Sequence, residues 1–179
     1  MERLEPERQT VIFNSASGPL RVTRTDVGYI LNFPSRPAER VEKPVLLTEA
    51  LGIEPSEIFV NAFNYLAVLE SPKLLRELKP DMTMLLRVDR PGVIVTAPGE
   101  GAYDFMSRYF APAKGIPEDP VTGAAHCMLV PYWSKRLSKS EFYAFQDSPR
   151  GGEIICRLKQ DHVELEGSCV FYLEGHVEI

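Results

Sequence analysis

The hydrophobic and polar positions at the start of the chain alternate with a period of two. Runs rich in β-branched and aromatic residues occupy residues 10–13, 20–23 and 29–33, and turn-forming residues separate them. A period of two places successive side chains on opposite faces of a strand. The pattern therefore predicts a meander of three antiparallel strands.

Proline interrupts this pattern in the next segment. Pro34, Pro37 and Pro44 fall within a polar stretch over residues 34–44. Each proline removes a backbone donor and restricts the preceding residue to extended geometry. We expect a boundary between two parts of the structure here.

Short helices and strands share the rest of the chain. We predict short helices over residues 46–51, 72–79 and 82–86. Strands are predicted over residues 58–60, 65–70, 93–96, 104–110, 141–146, 153–158, 162–165 and 169–173. Strands therefore outnumber helices.

The longest helical pattern covers residues 121–137. Its apolar residues recur at spacings of three and four, as Ala125, Met128, Leu129, Tyr132 and Trp133 show. So apolar a helix has to be buried on most of its faces, and a curved sheet wrapped round it achieves that. The fold class predicted is α+β, a mixed β-roll around a central helix.

Pro131 lies inside this predicted helix. An interior proline removes one backbone hydrogen bond and crowds the preceding turn. We expect a kink near Cys127 and Met128.

Composition limits the partners. The 179 residues carry 20 Lys and Arg against 25 Asp and Glu, a net charge of −5, with no long basic cluster. Nucleic acid and anionic membranes are therefore excluded as expected partners. The N-terminus is charged and the sequence has no long apolar run, so we expect no signal peptide and no membrane span. This favours a cytoplasmic protein.

The three cysteines, Cys127, Cys156 and Cys169, are widely spaced and are predicted to be reduced core thiols.

The candidate chemistry lies just before the central helix. Asp119 precedes Pro120, a pair typical of a helix N-cap, with the Asp119 carboxylate accepting from the amide of Val121 or Thr122. The alternative is an anion site in which Glu118 and Asp119 supply an acid/base.

In that alternative, Thr122, Gly123 and Ala124 present free amides at the positive end of the helix dipole to a substrate carboxylate. Gly123 would let a ligand approach the backbone closely. Screening from water would favour acid/base catalysis by the neighbouring carboxylate. Both interpretations stay open on these residues.

The chain resembles the PhzF-like phenazine-biosynthesis isomerases along nearly its whole length. The most specific block is Glu118-Asp119-Pro120-Val121-Thr122-Gly123, flanked by Arg108-Tyr109-Phe110-Ala111-Pro112, Ala125-His126 and Pro131-Tyr132-Trp133. Other matching blocks lie at residues 17–20, 92–97, 148–153 and 173–175.

The resemblance implies a diaminopimelate-epimerase-like fold of two similar lobes with the site in the cleft between them. It assigns residues 1–40 to a remnant of a partial first lobe. Residues 41–179 would form a complete second lobe, whose last strand returns to the first. It also implies a homodimer without cofactor or metal that moves a proton on a small carboxylated metabolite. Asp119 matches the family's site aspartate, and Gly123 matches its amide-presenting glycine.

Two departures affect the expected activity. Ala124 stands where the family usually has a serine. The family's main proton-shuttling glutamate and its Gly-His-Ala-Thr helix start are not found in this sequence. We therefore expect the 179 residues alone to be inactive. The alternative is a non-catalytic fragment or pseudoenzyme that acts as a protein-interaction or dimerisation module.

Several other residues have simpler explanations. His126 is expected to be a core histidine, and Cys127 a packing residue. Arg150-Gly151-Gly152 is expected to form a hairpin turn. The meander's apolar face, with Val11, Phe13, Val22, Ile30 and Phe33, is expected to be a patch that favours association.

Overall fold

The fold is seen in a computed structural model that describes residues 7–15, 18–170 and 172–176. Within these residues, twelve strands form one sheet. The strands are β1 (Thr10–Ser15), β2 (Gly18–Arg24), β3 (Tyr29–Pro34), β4 (Glu39–Val41), β5 (Glu57–Val60), β6 (Asn64–Val68), β7 (Gly92–Pro98), β8 (Phe105–Ala111), β9 (Ile116–Glu118), β10 (Glu141–Gln146), β11 (Gly152–Lys159) and β12 (His162–Gly167). The helices are α1 (Val45–Leu51), α2 (Pro72–Glu77), α3 (Met82–Leu85) and α4 (Gly123–Leu137), with a 3-10 turn at Pro112–Lys114.

The sheet is mixed. Its strands follow the order β1-β2-β3-β12-β11-β10-β8-β7-β6-β5-β4, and β9 pairs with β8. The β6–β7 and β8–β10 pairs are parallel, and the other pairs are antiparallel. The predicted meander is confirmed as β1 to β3, and β3 continues into the rest of the sheet by pairing with β12.

The sheet curls round α4. This helix contacts β3, β11 and β12 on one side and β6 on the other. Five strands separate β3 from β6 in the sheet, and neighbouring strands lie about 4.8 Å apart. In a flat sheet, β3 and β6 would be about 29 Å apart, too far for one helix about 10 Å wide to touch both. The mixed sheet rolled round a central helix is therefore as predicted.

The hydrophobic core has two layers, one on each face of the sheet. On the inner face, Met128, Leu129 and Trp133 of α4 pack with Phe105 and Phe142. On the outer face, α1, α2 and α3 cover the sheet with residues that include Leu47, Leu51, Leu75 and Leu85. Strands β6 and β7 are buried on both faces, which explains their nearly continuous apolar sequence.

The proline-rich segment over residues 34–44 connects distant parts of the sheet. It leaves β3, passes α4 and contains β4, a strand that the sequence pattern did not predict, at the far end of the strand order. Pro131 lies inside α4, as predicted. The division into two lobes at residues 40 and 41 stays a prediction.

Two details differ from the sequence-based expectations. Residues 168–170 and 172–173 carry no regular structure where a last strand was predicted, and Phe171 is outside the described residues. Ile30 pairs with Thr23 and Glu166, which places it on the opposite face of the meander from Val22 and Leu31. Ala16 and Ser17 of the first predicted turn also lie outside the described residues.

None of the helices described is long and apolar enough to cross a membrane.

Candidate active site at the start of the central helix

Asp119 lies in the short loop between β9 and α4. Its amide donates to the Tyr109 carbonyl at 3.0 Å, which ties the loop to β8. Its carboxylate Oδ2 accepts from the Thr122 hydroxyl at 2.5 Å. The half-buried carboxylate is thus fixed at one oxygen by the residue that precedes the helix.

The prediction that Asp119 is the N-cap of the central helix is wrong. Thr122 occupies that position, with extended geometry at φ −119° and ψ 100°, and α4 begins at Gly123. The Thr122 amide, which Asp119 was expected to bind, donates instead to Gln146 Oε1 at 2.8 Å. The helix therefore starts later than the Asp119-Pro120 pair suggests, because a contact from another strand supplies the acceptor.

Gln146, the last residue of β10, organises this loop and was missed by sequence reasoning. Besides accepting from the Thr122 amide, its Nε2 donates to the Asp119 carbonyl at 2.7 Å and to Thr122 Oγ1 at 3.1 Å. The side chain is completely buried. One signal could have found it, because Phe142, Ala144 and Gln146 share the buried face of the strand and only Gln146 is polar.

The start of α4 offers two free amides. Among the described residues, no hydrogen-bond acceptor contacts the Gly123 or Ala124 amide, whereas the Thr122 amide is used by Gln146. Ala124 is exposed. The first amides of a helix carry the positive end of its dipole, so an anion at this position is stabilised.

Glu118 does not form a catalytic pair with Asp119. Its two carboxylate oxygens accept from Arg108 at 2.8 and 2.9 Å, and the side chains are only 14% and 12% exposed. Arg108 also donates to the carbonyls of Leu75 and Leu78. This bidentate ion pair joins β8 and β9 to α2, and it leaves Asp119 as the one carboxylate of the loop that faces the helix start.

The hairpin turn predicted at Arg150-Gly151-Gly152 is confirmed, because β10 and β11 pair on either side of residues 147–151. The turn also contacts the Asp119 loop. Ser148 Oγ donates to the Pro120 carbonyl at 2.8 Å and accepts from the Gly151 amide at 3.1 Å. Gly152 lies against Val121 so closely that a Cβ atom there would overlap the valine side chain. The turn thus has a structural role next to the site.

A cavity of about 290 Å³ opens beside the first turn of α4. It is bounded by Gly18, Pro19, Leu20, Asn32, Phe33, Pro34, Arg36, Ala124 and Cys127. Ala124 thus faces the cavity, and Gly123 lies next to Phe33 of its wall. Asp119 is not among the lining residues. The structure therefore places Asp119 next to Thr122, and it places Ala124 in the wall of the cavity.

His126 and Cys127 are buried, as expected. The His126 ring lies in the core, where Nδ1 donates to the Thr122 carbonyl at 2.8 Å, and burial lowers its pKa to about 4. Burial also raises the pKa of the Cys127 thiol to about 11, so that thiol is protonated at neutral pH.

The prediction that all three cysteines are core thiols is wrong for one of them. Cys156 is buried like Cys127, but Cys169 is exposed. No three His, Cys, Asp or Glu residues within the described part of the chain lie together as metal ligands would.

The sheet rolled round α4 is the fold of solved PhzC/PhzF proteins. The crystal structure of a phenazine biosynthesis PhzC/PhzF protein from Clostridium difficile superposes with a TM-score of 0.89 at 35% identity, over 98% of this chain and 68% of that one. A family model described as phenazine biosynthesis-like protein matches residues 2–175. The chain belongs to this PhzC-PhzF family.

Curated relatives with similar sequences include two bacterial proteins named as uncharacterized isomerases. One, from Pseudomonas aeruginosa, is 44% identical over 178 residues, which are 99% of this chain and 65% of that protein. Another, from Halalkalibacterium halodurans, is 41% identical over 94% of this chain and 64% of its own length. The chain thus spans just under two thirds of the length of these relatives.

Proposed function

We propose that this chain forms one wall of an isomerase site that moves a proton on a small carboxylated substrate without a cofactor. Asp119 is the acid/base or substrate anchor, and the amides of Gly123 and Ala124 bind the substrate carboxylate. The observation that carries the proposal is the hydrogen bond from Thr122 to Asp119 directly beside those free amides.

The hydroxyl of Thr122 directs its proton to Asp119. Because Thr122 Oγ1 accepts from Gln146 Nε2, its own hydrogen is free to point at Asp119 Oδ2. Asp119 Oδ1 has no hydrogen-bond partner among the described residues, so it is available to a substrate proton. A general base must reach the proton it removes in a fixed geometry, and this arrangement supplies one fixed and one free oxygen.

Thr122 has a different role from that of its two neighbours. The Thr122 amide is satisfied by Gln146, so it is not available to the substrate. The Thr122 hydroxyl instead orients Asp119.

Gly123 is not required by the fold, since a Cβ atom would make ordinary contacts of 3.5 Å with Leu165 and Phe33. A glycine that packing does not demand is consistent with close approach of a ligand to the backbone.

Moving a proton between two positions of a substrate takes a second acid/base or one that reaches both positions. Glu118, the adjacent carboxylate, is held by Arg108. We therefore propose that the 179 residues bind the substrate and exchange a proton through Asp119, but do not complete the isomerisation.

Deuterium exchange tests this proposal. The chain is incubated in D2O with trans-2,3-dihydro-3-hydroxyanthranilate, the substrate that the resemblance to the PhzF-like phenazine-biosynthesis isomerases implies. Deuterium incorporation and product are followed by NMR. We expect incorporation without net isomerisation, and the loss of incorporation in Asp119→Asn. Asp26→Asn, at an exposed turn, is the control and keeps the exchange. Exchange that persists in Asp119→Asn would contradict the role of Asp119, and net isomerisation by the parent chain would contradict the proposed inactivity.

The alternative function, a dimerisation module, is favoured by the half-exposed apolar face of the meander. Val11 pairs with Val22 and Phe13 pairs with Leu20 on that face, and Phe13 is 55% exposed. Exposed apolar patches of this kind favour association. We expect a homodimer in light scattering that Phe13→Asp dissociates. Val27→Asp, at an exposed turn away from that face, leaves it intact. A monomeric parent chain would contradict this alternative.

A further inference from the structure

Arg36 is held against α4 by its backbone. Pro131 has no amide hydrogen, so the Cys127 carbonyl lacks its usual partner within the helix. The Arg36 amide takes that place and donates to the Cys127 carbonyl at 2.8 Å. On the other side, the Asn61 side chain donates to the Arg36 carbonyl at 3.3 Å. The proline inside α4 therefore positions Arg36 beside the first turns of the helix.

The Arg36 side chain contacts an aromatic ring and not an acidic group of the described residues. No carboxylate of the described residues lies within ion-pair distance of its guanidinium, whereas Arg40, on the neighbouring β4, pairs with Glu57 at 3.6 Å. Instead, Arg36 Cζ lies 4.6 Å from the centre of the Phe63 ring. A cation–π contact orients a guanidinium but does not neutralise it, so the group remains able to bind an anion.

Arg36 is the one charged residue among the described residues that line the 290 Å³ cavity. Leu20 and Phe33 give the cavity apolar walls, and Ala124 contributes a free amide. Cys127 carries no competing negative charge at neutral pH, since burial raises the pKa of its thiol. A cation, a free amide and apolar walls around one cavity match a small carboxylate with an apolar body.

We propose that Arg36 binds the carboxylate of the substrate in this cavity, together with the Ala124 amide, and thereby selects anionic substrates over neutral ones. The proposal rests on the proposed function and extends it, because it adds a specificity-determining side chain from outside the helix. An arginine also presents a full positive charge and two parallel donors to a carboxylate, whereas the amides of a helix start amount to about half a charge.

Benzoate and benzamide test this role, because they have the same size and shape and differ by one charge. Each is titrated into the ¹⁵N-labelled chain, and binding is followed through the amide signals of Gly123 and Ala124. We expect benzoate to bind about tenfold more tightly than benzamide, since one charge-assisted contact distinguishes them. Arg36→Gln should lower this ratio several-fold, to the part that the helix-start amides supply, and Arg36→Glu should lower it further. Arg36→Lys, which keeps the charge but not the two parallel donors, should keep only part of the ratio. Arg40→Gln is the matched control and should leave the ratio unchanged.

The outcomes separate the two proposals. If Arg36→Gln and Arg36→Glu retain the preference of the parent chain for benzoate, the role of Arg36 is wrong, while carboxylate binding at the helix start stands. If benzoate moves neither the Gly123 nor the Ala124 signal of the parent chain, the carboxylate site itself is wrong, and the role of Arg36 with it. The melting temperature of each variant checks that it is folded. Arg36→Lys keeps the positive charge and loses the paired donors, so it still tests the role of Arg36 if the other variants do not fold.

Discussion

Gln146 holds Thr122 at two atoms, accepting from its amide at 2.8 Å and donating to its hydroxyl at 3.1 Å. Rotating the Gln146 amide by half a turn would bring its NH2 group against the Thr122 N–H, so only one orientation satisfies both contacts. The end of β10 therefore sets both the start of α4 and the direction of the Thr122 hydroxyl. The position of the Asp119 carboxylate therefore depends on Gln146, a residue that is distant in the sequence.

Replacing Gln146 should destabilise the protein strongly. Gln146→Leu introduces an apolar side chain of similar volume and leaves the Thr122 amide and the Asp119 carbonyl without their partner inside the protein. Unsatisfied buried groups of this kind cost about 3 kcal/mol together, and we expect that loss in the free energy of unfolding measured with urea. Gln9→Leu, at an exposed position, is the control. Equal stability of the two variants would contradict a structural role for Gln146.

Local patterns predicted the elements around the site better than the contacts between them. The bounds of β10 agree with the prediction, and Ser71 caps α2 as its sequence suggests. The N-cap of α4 was predicted wrongly because the acceptor for the Thr122 amide comes from Gln146, and no local pattern contains that contact. The position of Arg36 likewise depends on a carbonyl that Pro131 leaves free, a tertiary contact that no periodicity indicates.

His126 should make the fold sensitive to acid. Burial holds its folded-state pKa at about 4, below the ordinary value of 6.5. Between these values the unfolded chain binds a proton that the folded protein does not, so stability falls as the pH drops from 6.5 to 4. The loss reaches about 3 kcal/mol, which urea unfolding across this pH range measures.

Two variants check the assignment to His126. His126→Gln retains a donor for the Thr122 carbonyl and should lose that part of the acid dependence. His162→Gln, at an exposed histidine, should keep the acid dependence of the parent chain. The role of His126 would be wrong if His126→Gln lost stability with acid as steeply as the parent chain.

The three cysteines should differ in reactivity. Cys169 is exposed, whereas Cys127 and Cys156 are buried, and burial raises the pKa of both buried thiols. Because the thiolate is the reactive form, we expect one thiol of the native chain to react rapidly with Ellman's reagent and three to react in denaturant. Cys169→Ser should abolish the rapid phase, and a rapid phase that survives in Cys169→Ser would show that a buried thiol is accessible.

Gly152 should be indispensable to the packing beneath Asp119. A Cβ atom at this position would overlap Val121 Cγ2, and valine has little freedom to move aside because its side chain branches at Cβ. We expect Gly152→Ala to lower the free energy of unfolding by about 2 kcal/mol through this overpacking. Since Val121 directly precedes Thr122, the same variant should also weaken benzoate binding at the Gly123 and Ala124 amides.

Gly167 provides the matched control for this substitution. It also lies in a strand, but a Cβ atom there would meet only the Glu153 carbonyl, at an ordinary contact distance of 3.9 Å. Gly167→Ala should therefore fold with unchanged or slightly higher stability, because alanine loses less conformational entropy on folding than glycine does. If Gly152→Ala were as stable as Gly167→Ala and bound benzoate as the parent chain does, then the close approach of Gly152 to Val121 would not support the start of α4. The hairpin turn would then support the Asp119 loop through the Ser148–Pro120 hydrogen bond alone.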